Sequence, residues 1–312
     1  MPGDTLRFLA FADLHHHPGA FKTDAPERLA AIRYRAESVQ VDFAVHLGDF
    51  CHAPSRSAEL LAQYDAFPCP VFHLAGNHDS DETPRTEMLR LYRLPATGYT
   101  YDDVGGFRLI RLDTNFYRKG ETYIPYDLGS HFKLPLQLEE INWIPPEQLT
   151  WLREAVLSSP HPCVLLSHCS LEREVDGVRN RDAVQAIIRE AYGMPGRVLL
   201  CIAGHHHRDY LRIFENTAFF ELNSAAFDWL PTPHRLFPEE WYAEFRHMGN
   251  MAIFRDALST VVTLHSDGEI EIEGMTSSML CGVTREMTDN PRCDGDGRPC
   301  TAQVLSARFR LL

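Results

Sequence analysis

Short apolar runs alternate with helically spaced segments through the first third of the chain. Leu6–Ala12 is apolar apart from Arg7 and stops at Asp13. A run of this length, apolar throughout, predicts a strand buried on both faces. From Pro26 to Val39, Leu29, Ile32 and Ala36 recur at helical spacing with a proline near the start, which predicts a helix. Phe43–Leu47 is a second buried strand, stopped by Gly48-Asp49. Ser55 to Phe67 reads as a helix with Leu60, Leu61 and Tyr64 on one face, and Val71–Ala75 as a third strand, stopped by Gly76. Strand, helix, strand, helix, strand is the order of a parallel sheet. Ligands of such sheets gather beyond the carboxyl ends of the strands, so Asp13, Asp49 and Asn77 are expected on one rim.

The pattern then changes. Tyr99–Asp102 and Phe107–Leu112 predict a hairpin around Gly105-Gly106. Pro145 to Ser158 predicts a helix with Trp151, Leu152 and Val156 inward, and Cys163–Leu166 a strand leading to His168. Asn180 to Tyr192 predicts a helix capped by Asn180 or its neighbour, and Val198–Ala203 a strand ending at Gly204. Tyr210–Phe214 with Ala218–Leu222, and Thr260–His265 with Glu269–Glu273 around Ser266-Asp267-Gly268, predict two more antiparallel pairs. No repeat or low-complexity tract interrupts the chain, and a single domain over 1–312 is expected. Its core lies at about 5–225, with a C-terminal strand extension over 259–312. Two connections, 114–144 and 227–254, are long and rich in Phe, Tyr and Trp. They are expected to wall the rim and choose the substrate; packing on each other or on a second subunit is the alternative.

Length and charge narrow the function. A chain of 312 residues can bury a large core. Its formal net charge of −13 repels nucleic-acid phosphates, so a nucleic-acid partner is disfavoured; bound metals can still reverse the sign locally. No secretory leader and no bilayer-length apolar run is visible, so no membrane partner and a cytoplasmic setting are expected, with homo-oligomerisation left open. Of the eight cysteines, Cys51, Cys69, Cys163, Cys169 and Cys201 lie in or beside apolar runs and read as buried hydrophobes. Cys293 and Cys300 flank a Gly/Asp-rich turn, where a disulfide and an incidental pair are both open. No CxxC pair suggests a thiolate zinc site.

The chemistry sits in five segments: Asp13-Leu14-His15, Gly48-Asp49, Gly76-Asn77-His78-Asp79, Ser167-His168 and Gly204-His205-His206-His207. Each alone has a bland reading, such as a tight turn that tolerates positive φ or a solvated histidine. Together they offer oxygen donors and imidazoles suited to a pair of transition ions. A carboxylate shared by two ions lowers their repulsion, and neutral imidazoles fill the shells without repelling a phosphate.

In this order the segments resemble the calcineurin-like metallophosphoesterase superfamily, whose pattern runs D-x-H, GD, GNH[DE], a lone His and GHxH. The resemblance covers about residues 5 to 225. It implies an α/β (α+β) fold of two packed mixed β-sheets flanked by helices, a four-layer αββα sandwich. It implies that Asp13, His15 and His207 bind one ion, that Asn77, His168 and His205 bind a second, and that Asp49 bridges them. The ions are divalent or trivalent: Mn, Fe, Zn or Co. The catalytic residues it implies are Asp49, the shared ligand, and His78, which faces the substrate without binding metal. A hydroxide held by the ions would attack phosphorus in line, and His78 would hand a proton to the leaving oxygen. His16 and His17 fall outside the D-x-H spacing. His206 is expected to face away from its neighbours, and His52 to make a hydrogen bond behind the site. Arg181, with Arg179 and Arg208 as rivals, is a candidate phosphate contact.

Departures from the pattern restrict the branch. Ser/Thr protein phosphatases continue GD as GDxxDRG, with an acidic residue that orients the catalytic histidine. Gly48-Asp49-Phe50-Cys51-His52 lacks it. Purple acid phosphatases carry a tyrosine where His52 stands. The remaining pattern is most similar to bacterial phosphodiesterases, so hydrolysis of a small-molecule phosphodiester is expected. A phosphomonoesterase or nucleotide pyrophosphatase is the alternative, and a non-catalytic scaffold of the same fold is a third reading, which full retention of the ligands disfavours.

Overall fold

Among the described residues most strands sort into two mixed six-stranded sheets, and the remaining six form three two-stranded pairs. In this computed structural model residues 5–288 and 301–312 are described; Cys293 and Cys300 lie outside them. The first sheet runs, edge to edge, Ala307–Arg310, Glu269–Glu273, Thr260–His265, Thr5–Phe11, Phe43–His46 and Val71–Phe72. The second runs Tyr210–Phe214, Thr217–Glu221, Val198–Ala203, Cys163–Ser167, Phe107–Arg111 and Thr100–Val104. The Thr5–Phe11 strand is parallel to Phe43–His46 and antiparallel to Thr260–His265. The Cys163–Ser167 strand is parallel to both its neighbours.

Alternation along each strand builds the layers. Leu6, Phe8 and Ala10 meet Leu109, Val164, Leu166 and Ile202 in the cluster between the sheets. Leu9 and Phe11 point the other way, onto Leu29, Ile32, Leu60 and Tyr64 of the helices Ala25–Val39 and Ala58–Asp65. On the far side Ile110, Leu165 and Cys201 meet Leu152, Val156, Val184 and Ile188 of the helices Pro146–Leu157 and Arg181–Glu190. Helix, sheet, sheet, helix is the four-layer sandwich that the motifs implied.

Several elements differ from the sequence reading. The Val71–Ala75 strand pairs only over Val71–Phe72. Beyond it His73 leaves the ladder, and its ring bonds His46 at 2.9 Å. Asn180 stands at a helix start but does not cap it; its amide holds both backbone groups of Ile144. Neither long connection is structureless. The first holds a hairpin, Phe116–Lys119 with Thr122–Pro125, and a short helix, Ser130–Lys133. The second pairs Phe227–Trp229 with Met251–Ile253 and sends Phe227, Met248 and Met251 into the core between the sheets. The helix Arg85–Leu91, which buries Met88 and Leu89, was not read from the sequence. No helix of the described residues is long and apolar enough to cross a membrane.

Candidate metal centre

All the segments singled out in the sequence meet at the rim where the parallel strands of both sheets end. Each ligand candidate sits on the tight turn after a strand, and the turns are bent hard. Asp13, His15, Asp49, His205 and His207 all have left-handed backbones, with φ of 55, 50, 52, 74 and 52°. Such conformations cost about 1–3 kcal/mol each outside glycine and persist where surrounding packing enforces them. Glycines allow the turns to interlock. A Cβ on Gly76 would lie 2.2 Å from Asp49 Oδ1, one on Gly48 2.5 Å from His168 Nδ1, and one on Gly204 2.7 Å from Asp13 Oδ2. The glycines of the GD, GNH and GHxH segments are therefore close-approach positions.

Four groups with ligand atoms within 4.8 Å of one another result among the described residues; two, Asp13–His15–His207 and Asp49–His168–His205, match the expected ligand sets, and another joins His52, His78 and Asp81. Asp49 also belongs with His15 and His78, so it stands between them. In the first cluster His15 Nε2 faces His207 Nε2 at 3.1 Å, and Asp13 Oδ1 lies 3.6 Å from His207 Nε2. In the second, His168 Nε2 lies 2.9 Å from Asn77 Oδ1, 3.2 Å from Asp49 Oδ2 and 3.2 Å from His205 Nδ1. Asp13, His15, Asp49, His168 and His207 are all at most 2 % exposed.

Neighbouring acceptors fix which nitrogen faces inward. His168 Nδ1–H donates to the Leu47 carbonyl at 2.8 Å, and His207 Nδ1–H to the Phe227 carbonyl at 2.7 Å. His15 is set by a relay: its Nδ1 bonds His52 Nε2 at 3.0 Å, and His52 Nδ1 donates to Asp81 Oδ2 at 2.7 Å. Each ring is then left with an Nε2 lone pair aimed at carboxylate oxygens and other lone pairs. Buried acceptors that converge without donors are unfavourable unless positive charge lies among them. The chemistry of the donor set therefore fits two cations. The His168 imidazole reports the same demand. Burial alone would push it down, yet the charge and hydrogen bond of Asp49 outweigh burial and hold it up at about 9, so the surroundings of this ring favour positive charge.

His78 lies beside the clusters. Its backbone N–H donates to Asp49 Oδ1 at 2.8 Å, and its ring Nδ1 bonds Asp81 Oδ2 at 2.8 Å. Asp81 thus holds both His78 and His52. Burial opposes the charge on His78, but Asp49 and Asp81 outweigh it and bring the imidazole to about 9. Burial likewise opposes the Asp81 anion, and His78 and His52 outweigh it, to about 2. His131 packs edge-on against His78 at 4.5 Å; burial, then His78, push it down to about 3, so it is neutral. Behind the rim Asp79 accepts the backbone N–H groups of Asp49, Phe50, Cys51 and Gly76 and the Tyr92 hydroxyl. It ties the second and third segments together. Burial and the Asp49 charge raise its carboxyl to about 7 against those donors.

Asp79, Asp81 and His131 were missed as site residues. Asp79 was visible as the last residue of its motif; the other two carried no signal before the turns were placed. His206 does not extend a strand, because His205 and His207 are both left-handed. It sits between them against Val175 and Glu221, at 3.1 and 3.5 Å, and lines a cavity that Asp49, Asn77 and His78 also line. Among the arginine candidates Arg208, paired with Asp228, lines that cavity beside Arg173, whereas Arg179 and Arg181 do not. Cys51, Cys163, Cys169 and Cys201 are buried free thiols, pushed up by burial. Both long connections reach the rim: Phe132 and Lys133 come from the first, Trp229 and His247 from the second.

A profile of the calcineurin-like phosphoesterases matches residues 6–209, a stretch that holds every ligand candidate. The chain belongs to this family. Members use a dinuclear metal centre, and the clusters of this phosphoesterase fit one. Solved structures agree on the fold. A dimetal phosphatase from Danio rerio is 15 % identical, with 100 % of both chains covered and a TM-score of 0.61. Purple acid phosphatase from yellow lupin is 15 % identical over 86 % of this chain and 51 % of its own, at 0.54. GAP50, the anchor in the inner membrane complex of Plasmodium, is 13 % identical over 99 % and 90 %, at 0.55. No curated protein matches the chain.

Proposed function

We propose that this metallophosphoesterase is a dinuclear-metal phosphodiesterase acting on a small-molecule substrate. Asp13, His15 and His207 would hold one ion, Asn77, His168 and His205 the other, and Asp49 both. When bound, such a pair supplies a water of lowered pKa and neutralises charge on the phosphoryl oxygens. The protein's own work is positional. Asp81 fixes His78 Nδ1 and leaves Nε2 toward the substrate space, where it can hold a proton for the leaving oxygen. Through His52 the same carboxylate fixes the tautomer of His15.

The observation that carries the diester reading is the space beside His78. Two cavities, of about 440 and 450 Å³, flank it, and His78 and Trp229 line both. A phosphodiester carries two ester arms and needs two such spaces; a monoester needs one. The test loads the protein with Mn, Fe, Zn or Co, measures metal content, and compares bis(p-nitrophenyl) phosphate with p-nitrophenyl phosphate. Higher kcat/KM on the diester is expected. Higher kcat/KM on the monoester would overturn the diester reading, and absence of metal binding and turnover with all four metals would leave a scaffold.

A further inference from the structure

The two cavities beside His78 differ in chemistry. One is charged, lined by Arg173, Asp176, Arg208 and Asp228. The other is walled by rings, chiefly Phe21, Phe132, Trp229 and His247. Phe21 stacks on His247 at 4.8 Å and 18° and stands edge-on to Trp229 at 5.7 Å and 82°. Phe132 is different. It is 56 % exposed at the mouth, in none of the three buried clusters, with its ring 6.4 Å from His78 and inclined at 26°. A large apolar ring kept in water beside a reactive histidine does nothing for the core. Lys133 Nζ lies 5.5 Å from its ring centroid and His131 packs against it at 4.8 Å and 86°, and the rest of the ring is open at the mouth.

We propose that this cavity is the subsite for one ester arm of the substrate, and that the arm carries a planar aromatic ring that lies against Phe132. The proposal rests on the phosphodiester reading and names the class of diester. Stacking needs a π face on the ligand, which glycerol and other aliphatic alcohols lack. A quaternary ammonium can also use aromatic walls, but Lys133 and Arg246 line this cavity and repel it. Both carboxylates that line it are already paired, Glu82 with His17 and Arg56 and Asp81 with His52 and His78. The same two cations offer donors to the edge of a heterocycle. The ring can come from a nucleobase or from an aryl ester.

The metal-loaded full chain is assayed on thymidine 5′-(p-nitrophenyl phosphate), bis(p-nitrophenyl) phosphate and glycerophosphoethanolamine, in wild type, Phe132→Ala and Phe132→Trp. Wild type is expected to prefer the aromatic diesters. In Phe132→Ala the ratio of aromatic to aliphatic kcat/KM should fall about tenfold, mainly through KM, and Phe132→Trp should restore it. A lower KM for the thymidine ester than for the aryl ester identifies a nucleobase; equal values identify any aryl ring. An unchanged ratio in Phe132→Ala, or a wild-type preference for glycerophosphoethanolamine, overturns the subsite and leaves the phosphodiester reading standing. Absence of turnover on all three diesters removes that reading itself.

Discussion

Asp81 uses one oxygen for two tasks. Its Oδ2 bonds Nδ1 of His78 at 2.8 Å and Nδ1 of His52 at 2.7 Å, and His52 in turn bonds His15. The sequence lacks the acidic residue that the GDxxDRG pattern carries in its second motif, and the carboxylate that bonds His78 lies three places after it. The Asp81 charge helps to hold the His78 imidazolium up to about 9, so the proton is kept as pH rises through neutrality and lost above it. In Asp81→Asn that support is gone. The alkaline limb of kcat for esters with poor leaving groups should move to lower pH. Two bound cations push the whole profile the same way in both proteins, so the difference between the two pH–rate curves is the measurement. A second outcome separates this residue from a purely structural one: His15 loses the relay that orients it, and metal affinity should drop about 10–100-fold by titration. Asp81 was not legible in the sequence. Asp13, Asp49 and Asn77 were, because each closely follows an apolar run of the sequence. Asp81 acts only through the turn that folds it back under His78.

At the scale of elements, the turns are the working parts and the strands set their spacing. Asp79 is fully buried and collects backbone donors from the turn at 49–51 and from Gly76. Asp79→Ala would strand these donors. A loss of about 3 kcal/mol or more is expected by urea denaturation, together with weakened metal binding. Gly76→Ala attacks the same junction from the other side, since the new methyl would meet Asp49 Oδ1 and the Asp49 backbone nitrogen at 2.2 and 2.3 Å. It should cost about 1–3 kcal/mol and displace the shared carboxylate, which metal analysis of the purified variant reads directly. Element types were well marked by apolar runs. Their ends were not: Val71–Ala75 reads as one strand because all its residues but His73 are apolar, yet pairing stops at Phe72 and the His73 ring bonds His46. The hairpin Phe116–Lys119 with Thr122–Pro125 was readable in principle from Gly120-Glu121, but Phe116, Tyr117 and Tyr123 fit a binding wall equally well.

At the scale of the molecule, the two sheets are joined twice, by apolar packing and by the rim. Asp13, His15, Asp49 and Asn77 follow strands of the first sheet; His168, His205 and His207 follow strands of the second. Each cluster draws from both. Bound ions should therefore stabilise the docked sandwich, by about 4 kcal/mol per ion at a thousandfold excess over its dissociation constant. Chelation should lower Tm in a calorimeter and re-addition should restore it. Which strand neighbours which was only partly legible. Strands buried on both faces carry no alternation of polarity, so the sequence could not say which side of Phe8 or Leu9 met the other sheet.

The division of ligands between the sheets also orders the events of assembly. Neither half alone presents either candidate set of donors, so capture of the ions would be a late event that waits for the halves to dock. Interactions made after the transition state slow the backward step and leave the forward one alone. Metal in the buffer should lengthen the lifetime of the native protein in denaturant while its refolding rate stays the same; faster refolding with metal would mean that one half gathers an ion by itself.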